Sequence, residues 1–198
     1  MFKLITFLAV LLTINAQSGK LRVHVFYESL CPDSMNFVSR HLVPQIDAFN
    51  DVIEVVLVPF GKSKHLGGGS FTCQHGSAEC KLNRIMSCAL TQINDQQAAV
   101  KYVGCQMVWG ADRSGRQCVD EHGLDWAAVE QCYATEVGAE LQIGAENEQK
   151  RILPNGYPSF VPTIVYNEQY DKGLQDASLK NFAGVMCSLL GPGVGPCV

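Results

Sequence analysis

The chain has no excess of positive charge. Its 15 lysines and arginines are outnumbered by 19 aspartates and glutamates, leaving a net charge of −4. Phosphate backbones are held by clustered cations and anionic lipid surfaces by polybasic runs. With neither present, a nucleic-acid partner and an electrostatically held membrane partner are both excluded. There is also no apolar run of the ~20 residues needed to cross a bilayer. The apolar stretch at residues 4–14 is too short, follows Lys3 and ends in Ile14-Asn15-Ala16. It reads as a secretory signal peptide over residues 1–16, cleaved near Ala16, and not as a membrane anchor. No Asn-x-Ser/Thr triplet occurs, so N-glycosylation, and any sorting that depends on N-linked sugar phosphate, is not expected. Internal repeats are absent, which excludes solenoids and propellers.

What the chain does have is cysteine. There are nine, all beyond residue 16: Cys31, Cys73, Cys80, Cys88, Cys105, Cys118, Cys132, Cys187 and Cys197. At this density in a secretory chain they read as disulfides, and an odd count leaves at least one unpaired. Cys31 is the natural candidate because the other eight can then pair. The count alone leaves open the alternative that Cys31 is bridged and another is free. The pairing does not follow from the sequence, with one exclusion. If Cys80 and Cys88 share a helix, their Cα atoms lie ~12 Å apart, beyond the ~7 Å a disulfide tolerates.

Cys31 opens the segment Cys31-Pro32-Asp33-Ser34, between the strand-like residues 21–27 and a helix-like run. A Cys-x-x-Cys at such a turn is a dithiol redox site. Here Ser34 stands where the second thiol would be. A helix N-terminus favours the thiolate at Cys31 through its dipole and free N–H groups, while the charge on Asp33 works against it. Ser34 is expected to donate a hydrogen bond to the sulfur. A hydroxyl cannot expel a product from a mixed disulfide, so an external thiol such as cysteine or glutathione must do so. The contrary reading of Cys31 is a buried, inert cysteine.

The remaining pattern is mixed. Residues 21–27 alternate as a strand, and Pro32 suits the first turn of a helix carrying Met35, Phe37, Val38, Leu42 and Ile46, with a kink expected at Pro44. Residues 52–60 form a nearly continuous apolar strand, so the first unit is βαβ with parallel strands and a right-handed crossover. Residues 61–69 read as a glycine-rich loop. Helical stretches follow, from about residue 79 to 100, at 125–135 and at 136–153. With six of the cysteines, residues 62–153 read as a disulfide-rich helical insertion. A strand at 160–166, a short strand at 169–172 and a helix at 179–190 close the chain. The order is βαβ, insertion, ββα. With a cysteine at the first helix and Val161-Pro162 entering a late strand, it matches an α/β thioredoxin-like fold in one domain over residues 17–198.

The segment Cys73-Gln74-His75-Gly76-Ser77-Ala78-Glu79-Cys80-Lys81-Leu82-Asn83, followed by Cys88, resembles the signature CQHGxxECxxN of the gamma-interferon-inducible lysosomal thiol reductase family. The approach Tyr27-Glu28-Ser29-Leu30-Cys31-Pro32 and the run Val161-Pro162-Thr163 resemble it as well. The resemblance spans residues 23–197. It implies a thioredoxin-like fold and reduction of protein disulfides in an acidic endolysosomal compartment. Cys31 is then the nucleophile, and a cis Pro162 with Val161 faces it and presents backbone to an extended substrate. The family motif is Cys-x-x-Cys, and the chain departs from it at Ser34.

Cys73, His75, Glu79 and Cys80 do not have a usual zinc spacing, and oxidised cysteines are poor ligands. No metal and no cofactor are expected. His75 and Gly76 are read as shaping the turn into the helix, Glu79 as helping to cap it, and His24, His41, His65 and His122 receive no role. The combined expectation is a secreted or endolysosomal monothiol oxidoreductase with disulfide-bonded proteins as partners. The rival is a catalytically impaired binding protein of the same fold acting in host defense.

Overall fold

The computed structural model describes residues 19–198, so the signal-peptide reading of residues 1–16 lies outside the described residues. The chain begins with strand β1 (Leu21–Tyr27). A helical run follows, made of α1 (Pro32–Phe37), a π-helical turn (Val38–Leu42) and α2 (Val43–Phe49). In place of the kink expected at Pro44, the structure widens the preceding turn, where the Val43 N–H bonds the Val38 carbonyl. Pro44 has no N–H to give, and the wider turn relieves its ring against the carbonyl four residues back.

Strand β2 (Ile53–Pro59) pairs parallel with β1, from Leu21 opposite Ile53 to Tyr27 opposite Pro59. Residues 61–69 are not the plain loop that their glycines suggest. They contribute to a hairpin of β3 (Lys64–Gly67) and β4 (Ser70–Thr72). Its turn is Gly68-Gly69, with φ of +55° and +73°, the primed-turn geometry that matches strand twist and that glycine alone adopts freely.

Five helices follow: α3 (Ser77–Leu90), α4 (Gln96–Gln106), α5 (Arg116–Glu121), α6 (Trp126–Ala134) and α7 (Glu136–Ile152). The single helix expected from about residue 79 to 100 is two. Asp95 caps α4 by accepting the Ala98 N–H at 2.8 Å, which requires extended backbone at position 95. The short α5 has no counterpart among the elements expected from sequence. Strand β5 (Thr163–Tyr166) then lies antiparallel on the other edge of β1, giving the order β2-β1-β5. The strand expected at 169–172 is reduced to one bridge, Tyr166 with Gln169. Asp171 instead starts α8 (Lys172–Leu190), accepting the Leu174 N–H at 2.8 Å.

β1 is central, so both its faces are covered and its burial is almost continuous. Val23, Val25 and Tyr27 face the larger core with Met35, Phe37, Leu42, Ile46, Ile85 and Met86. Phe26 on the opposite face packs with Val58, Phe60, Ile152, Leu153 and Val165. Each large aliphatic side chain fully buried in this way contributes roughly 1.5–3 kcal/mol. Four disulfides complete the fold: Cys73–Cys80, Cys88–Cys132, Cys105–Cys118 and Cys187–Cys197. Among the described residues Cys31 is the free cysteine. No helix among them is long and apolar enough to cross a membrane.

Candidate active site

Cys31 is the N-cap of α1. Its backbone is extended, its carbonyl accepts the Met35 N–H at 3.0 Å, and Pro32 occupies the first helical position. The residue is only 6% exposed. Its Sγ donates to the Val161 carbonyl at 3.6 Å. The Val161–Pro162 peptide bond is cis, and Thr163 begins β5 directly after it. Because β5 pairs with β1, with Phe26 opposite Thr163, residues 130 positions apart in sequence meet at this end of the sheet.

Ser34 is fully buried one turn into α1. The expected bond to the Cys31 sulfur is not formed. The Ser34 Oγ instead accepts the Glu28 N–H at 3.3 Å. A buried backbone N–H left without an acceptor is costly, and this hydroxyl supplies one.

The same need is met at each successive residue of the turn. The Ser29 N–H goes to Asn83 Oδ1 at 2.9 Å, the Leu30 N–H to Glu79 Oε2 at 3.3 Å, and the Cys31 N–H to the Glu28 carbonyl at 3.3 Å. The Ser29 hydroxyl also donates to the Glu79 carbonyl at 3.2 Å. Glu79 and Asn83 lie one turn apart on α3, both fully buried.

The Cys73–Cys80 disulfide closes the loop that leads into α3. Gly76, at φ +83°, is its N-cap, a conformation that L side chains rarely adopt. Within the loop the His75 N–H donates to Glu79 Oε1 at 3.0 Å, and His75 Nδ1 lies 2.6 Å from Glu79 Oε2 and 3.6 Å from Glu28 Oε2. Gln74 is exposed on the loop. Glu28 Oε1 accepts the Lys62 N–H at 2.5 Å. Burial pushes the Glu28 carboxyl above its ordinary range; the Lys62 N–H opposes this and neighbouring Glu79 adds to it. Lys62 and the motif loop thus meet over the active turn.

The donor atoms of Glu28, His75 and Glu79 lie within 4.8 Å of one another. The 2.6 Å between His75 and Glu79 is a hydrogen-bond distance, closer than two ligands at ~2.0–2.2 Å from one cation sit in tetrahedral or octahedral geometry. A second such group among the described residues, Cys105, Cys118 and Glu121, has both sulfurs in a disulfide. The four histidines to which the sequence gives no role do have partners. His24 Nε2 lies 3.0 Å from Glu148 Oε1, His41 stacks on Phe37, His65 stacks on Phe71, and His122 Nδ1 lies 2.9 Å from the Cys118 carbonyl.

Sequence reasoning does not assign Glu28, Ser29 or Asn83 to the site. Glu28 and Ser29 lie in the quoted approach to Cys31 and Asn83 in the quoted motif. No local pattern says that α3 docks its buried face against the turn.

A free cysteine at the start of the first helix, opposite a cis-proline entering an antiparallel strand, defines a thioredoxin-like protein. The fold is similar to that of Chlamydia trachomatis DsbA, with a TM-score of 0.60 at 15% identity over 85% of this chain and 86% of that one. The family model described as gamma interferon inducible lysosomal thiol reductase (GILT) matches residues 22–122. The gamma-interferon-inducible lysosomal thiol reductase-like protein of Anopheles gambiae is 32% identical over 215 aligned residues, covering 100% of this chain and 88% of that one. GILT-like protein 1 of Drosophila melanogaster is 32% identical over 190 residues, covering 86% and 75%. The chain belongs to the gamma interferon inducible lysosomal thiol reductase family.

Proposed function

We propose that the protein is a thiol–disulfide oxidoreductase acting on protein disulfides through Cys31 alone, in a secreted or endolysosomal setting, with residues 17–198 as its working domain. The observation that carries this reading is the position of the free cysteine: at a helix N-terminus, with Sγ on the Val161 carbonyl beside cis-Pro162. Four disulfides suit an oxidising compartment.

The Cys31–Val161 hydrogen bond exists only while the sulfur carries its proton. An extended substrate whose N–H takes the Val161 carbonyl competes with that proton and favours the thiolate. The thiolate attacks one sulfur of a substrate disulfide. The S–S bond breaks, the departing sulfur leaves as a thiolate and is protonated by solvent, and Cys31 is joined to the substrate. One external thiolate, from cysteine or glutathione, then attacks the Cys31 sulfur and releases the second substrate thiol. A second external thiol frees Cys31. In sum, one substrate disulfide is reduced and two external thiols are oxidised to a disulfide. No cofactor enters these steps.

With no resolving thiol at position 34, wild-type protein should accumulate mixed disulfides with a scrambled secreted substrate when free thiol is limiting. Added glutathione should release them, and Cys31→Ala should abolish them. Non-reducing gels of the two proteins, across about pH 4.5 to the ~8.5 of a free thiol, provide the test. Association that survives Cys31→Ala with no covalent link supports the binding-protein reading. Absence of any adduct across that range removes the oxidoreductase assignment.

A further inference from the structure

Four consecutive backbone N–H groups, from Glu28 to Cys31, are held by named acceptors, and three of these acceptors are side chains: Ser34 Oγ, Asn83 Oδ1 and Glu79 Oε2. Two of those side chains, Glu79 and Asn83, come from α3, an element that follows the hairpin in the chain and is separate from the helix that Cys31 caps. Both are fully buried. Burying a carboxylate and an amide is expensive unless the bonds they make are needed. The bonds they make go to the turn immediately before the nucleophile.

We propose that Glu79 is a positioning residue for Cys31, with Asn83 as its companion, and that the segment from Cys73 to Asn83 is a clamp on the active turn. This rests on the reading of Cys31 as the nucleophile. The Cys73–Cys80 disulfide and Gly76 set the path of the loop. His75 then directs Glu79 from two sides, its N–H on Oε1 and its Nδ1 on Oε2. Held in that way, Oε2 receives the Leu30 N–H. One residue later, Cys31 Sγ is left 3.6 Å from the Val161 carbonyl. Ser63 extends the clamp, accepting from Asn83 Nδ2 at 3.5 Å while its hydroxyl lies 3.2 Å from Cys73 Sγ.

The clamp acts through the reach of an acceptor and not through the charge on it. Two substitutions separate these properties. Glu79→Asp keeps the charge but withdraws the carboxylate by one methylene, out of range of the Leu30 N–H. Glu79→Gln keeps an oxygen at full reach for the Leu30 N–H and drops the charge, at the cost of the acceptor that the His75 N–H has on Oε1. Both are made in the full chain, with all four disulfides verified by peptide mapping.

The first readout is the rate of Cys31 alkylation by iodoacetamide as a function of pH, which requires no reductase activity. The second is kcat and KM for disulfide reduction. Misplacement of a reacting group by ~1 Å costs up to ~10²-fold. Glu79→Asp should therefore shift the alkylation profile and lower kcat by about tenfold or more with KM little changed, while Glu79→Gln should stay within about threefold of wild type, well inside that cost. If Glu79→Asp behaves as wild type, or if Glu79→Gln is damaged equally, the positioning role is overturned. Should Glu79→Asp fail to fold, a second pair of variants repeats the comparison: Asn83→Asp, which retains Oδ1 over the Ser29 N–H, and Asn83→Ser, which does not reach it. A loss confined to Asn83→Ser supports the clamp, and equal behaviour of the pair overturns it. If wild-type protein reduces no disulfide, the proposed function fails, and the alkylation rates still decide the role of Glu79.

Discussion

At position 34 a hydroxyl and a thiol do different work. The Ser34 Oγ accepts a buried N–H that would otherwise be unpaired, which a sulfur does only weakly. A thiol there would instead reach the mixed disulfide on Cys31 and expel the product without outside help. Ser34→Cys is therefore expected to raise disulfide reductase turnover in cysteine or glutathione, while lowering folding stability by about 1 kcal/mol through the weakened hydrogen bond beneath the turn. Insulin reduction by the purified variant and wild type measures it. Turnover unchanged or lower would show that Ser34 is not the limiting departure from the family motif. Cys31 is legible locally, as a cysteine at a helix start, whereas a cis Pro162 with Val161 beside the sulfur is expected only from the resemblance, because the local sequence by itself favours a trans bond. Ser34 is legible as a missing thiol and not as an acceptor. Its partner, Glu28 N–H, becomes an orphan only once β1 and α1 are packed, and hydrogen-bond demand of that kind is a tertiary property.

Among the secondary-structure elements, the disulfides differ in what they hold. Cys88–Cys132 spans 44 positions and ties α3, the helix that carries Glu79 and Asn83, to α6. Cys187–Cys197 spans 10 and pins the tail to α8. On loop-closure entropy alone, a cross-link over the longer span is worth about 4 kcal/mol and one over the shorter about 2.7 kcal/mol. Replacing both cysteines of the first pair by alanine should thus lower thermal stability more than the same change in the second, by roughly 1 kcal/mol. Thermal melts of the two double variants test this, and equal losses would place the main effect in native-state packing. β1, β2, α6 and α7 lie within a residue or so of where the sequence places them, the two strands on alternating or continuous apolar runs, whereas α3 is only the first part of what the sequence reads as one longer helix. The ones misread are decided by single residues. A pair of glycines turns residues 61–69 into a hairpin. Asp95 and Asp171 draw helix starts to themselves through capping bonds. Pro44 yields a π turn in place of a kink.

Over the whole molecule, the response to pH combines groups of opposite sign. Arg151 holds Glu168 down at about 2, so that ion pair persists under mild acid. Two buried groups do change. Burial lowers His24 below its ordinary 6.5 despite Glu148 beside it. The unfolded chain therefore binds more protons than the folded one as pH falls below 6.5, and His24 costs stability there. Glu28 is the reverse case. Its carboxyl, facing Glu79, His75 and the Lys62 N–H, is raised by burial above 4.5. Its contribution is complete below 4.5 and is lost as pH rises through the folded value. In Glu28→Gln the amide oxygen can still take the Lys62 N–H, but the titration is gone. The stability of wild type relative to this variant should therefore rise as pH falls from about 7 toward the unperturbed carboxyl range. Urea unfolding at both ends of that range measures the difference. A flat difference, or one that grows toward neutral pH, would show that Glu28 is ionised in the folded protein throughout and that its burial does not hold it protonated.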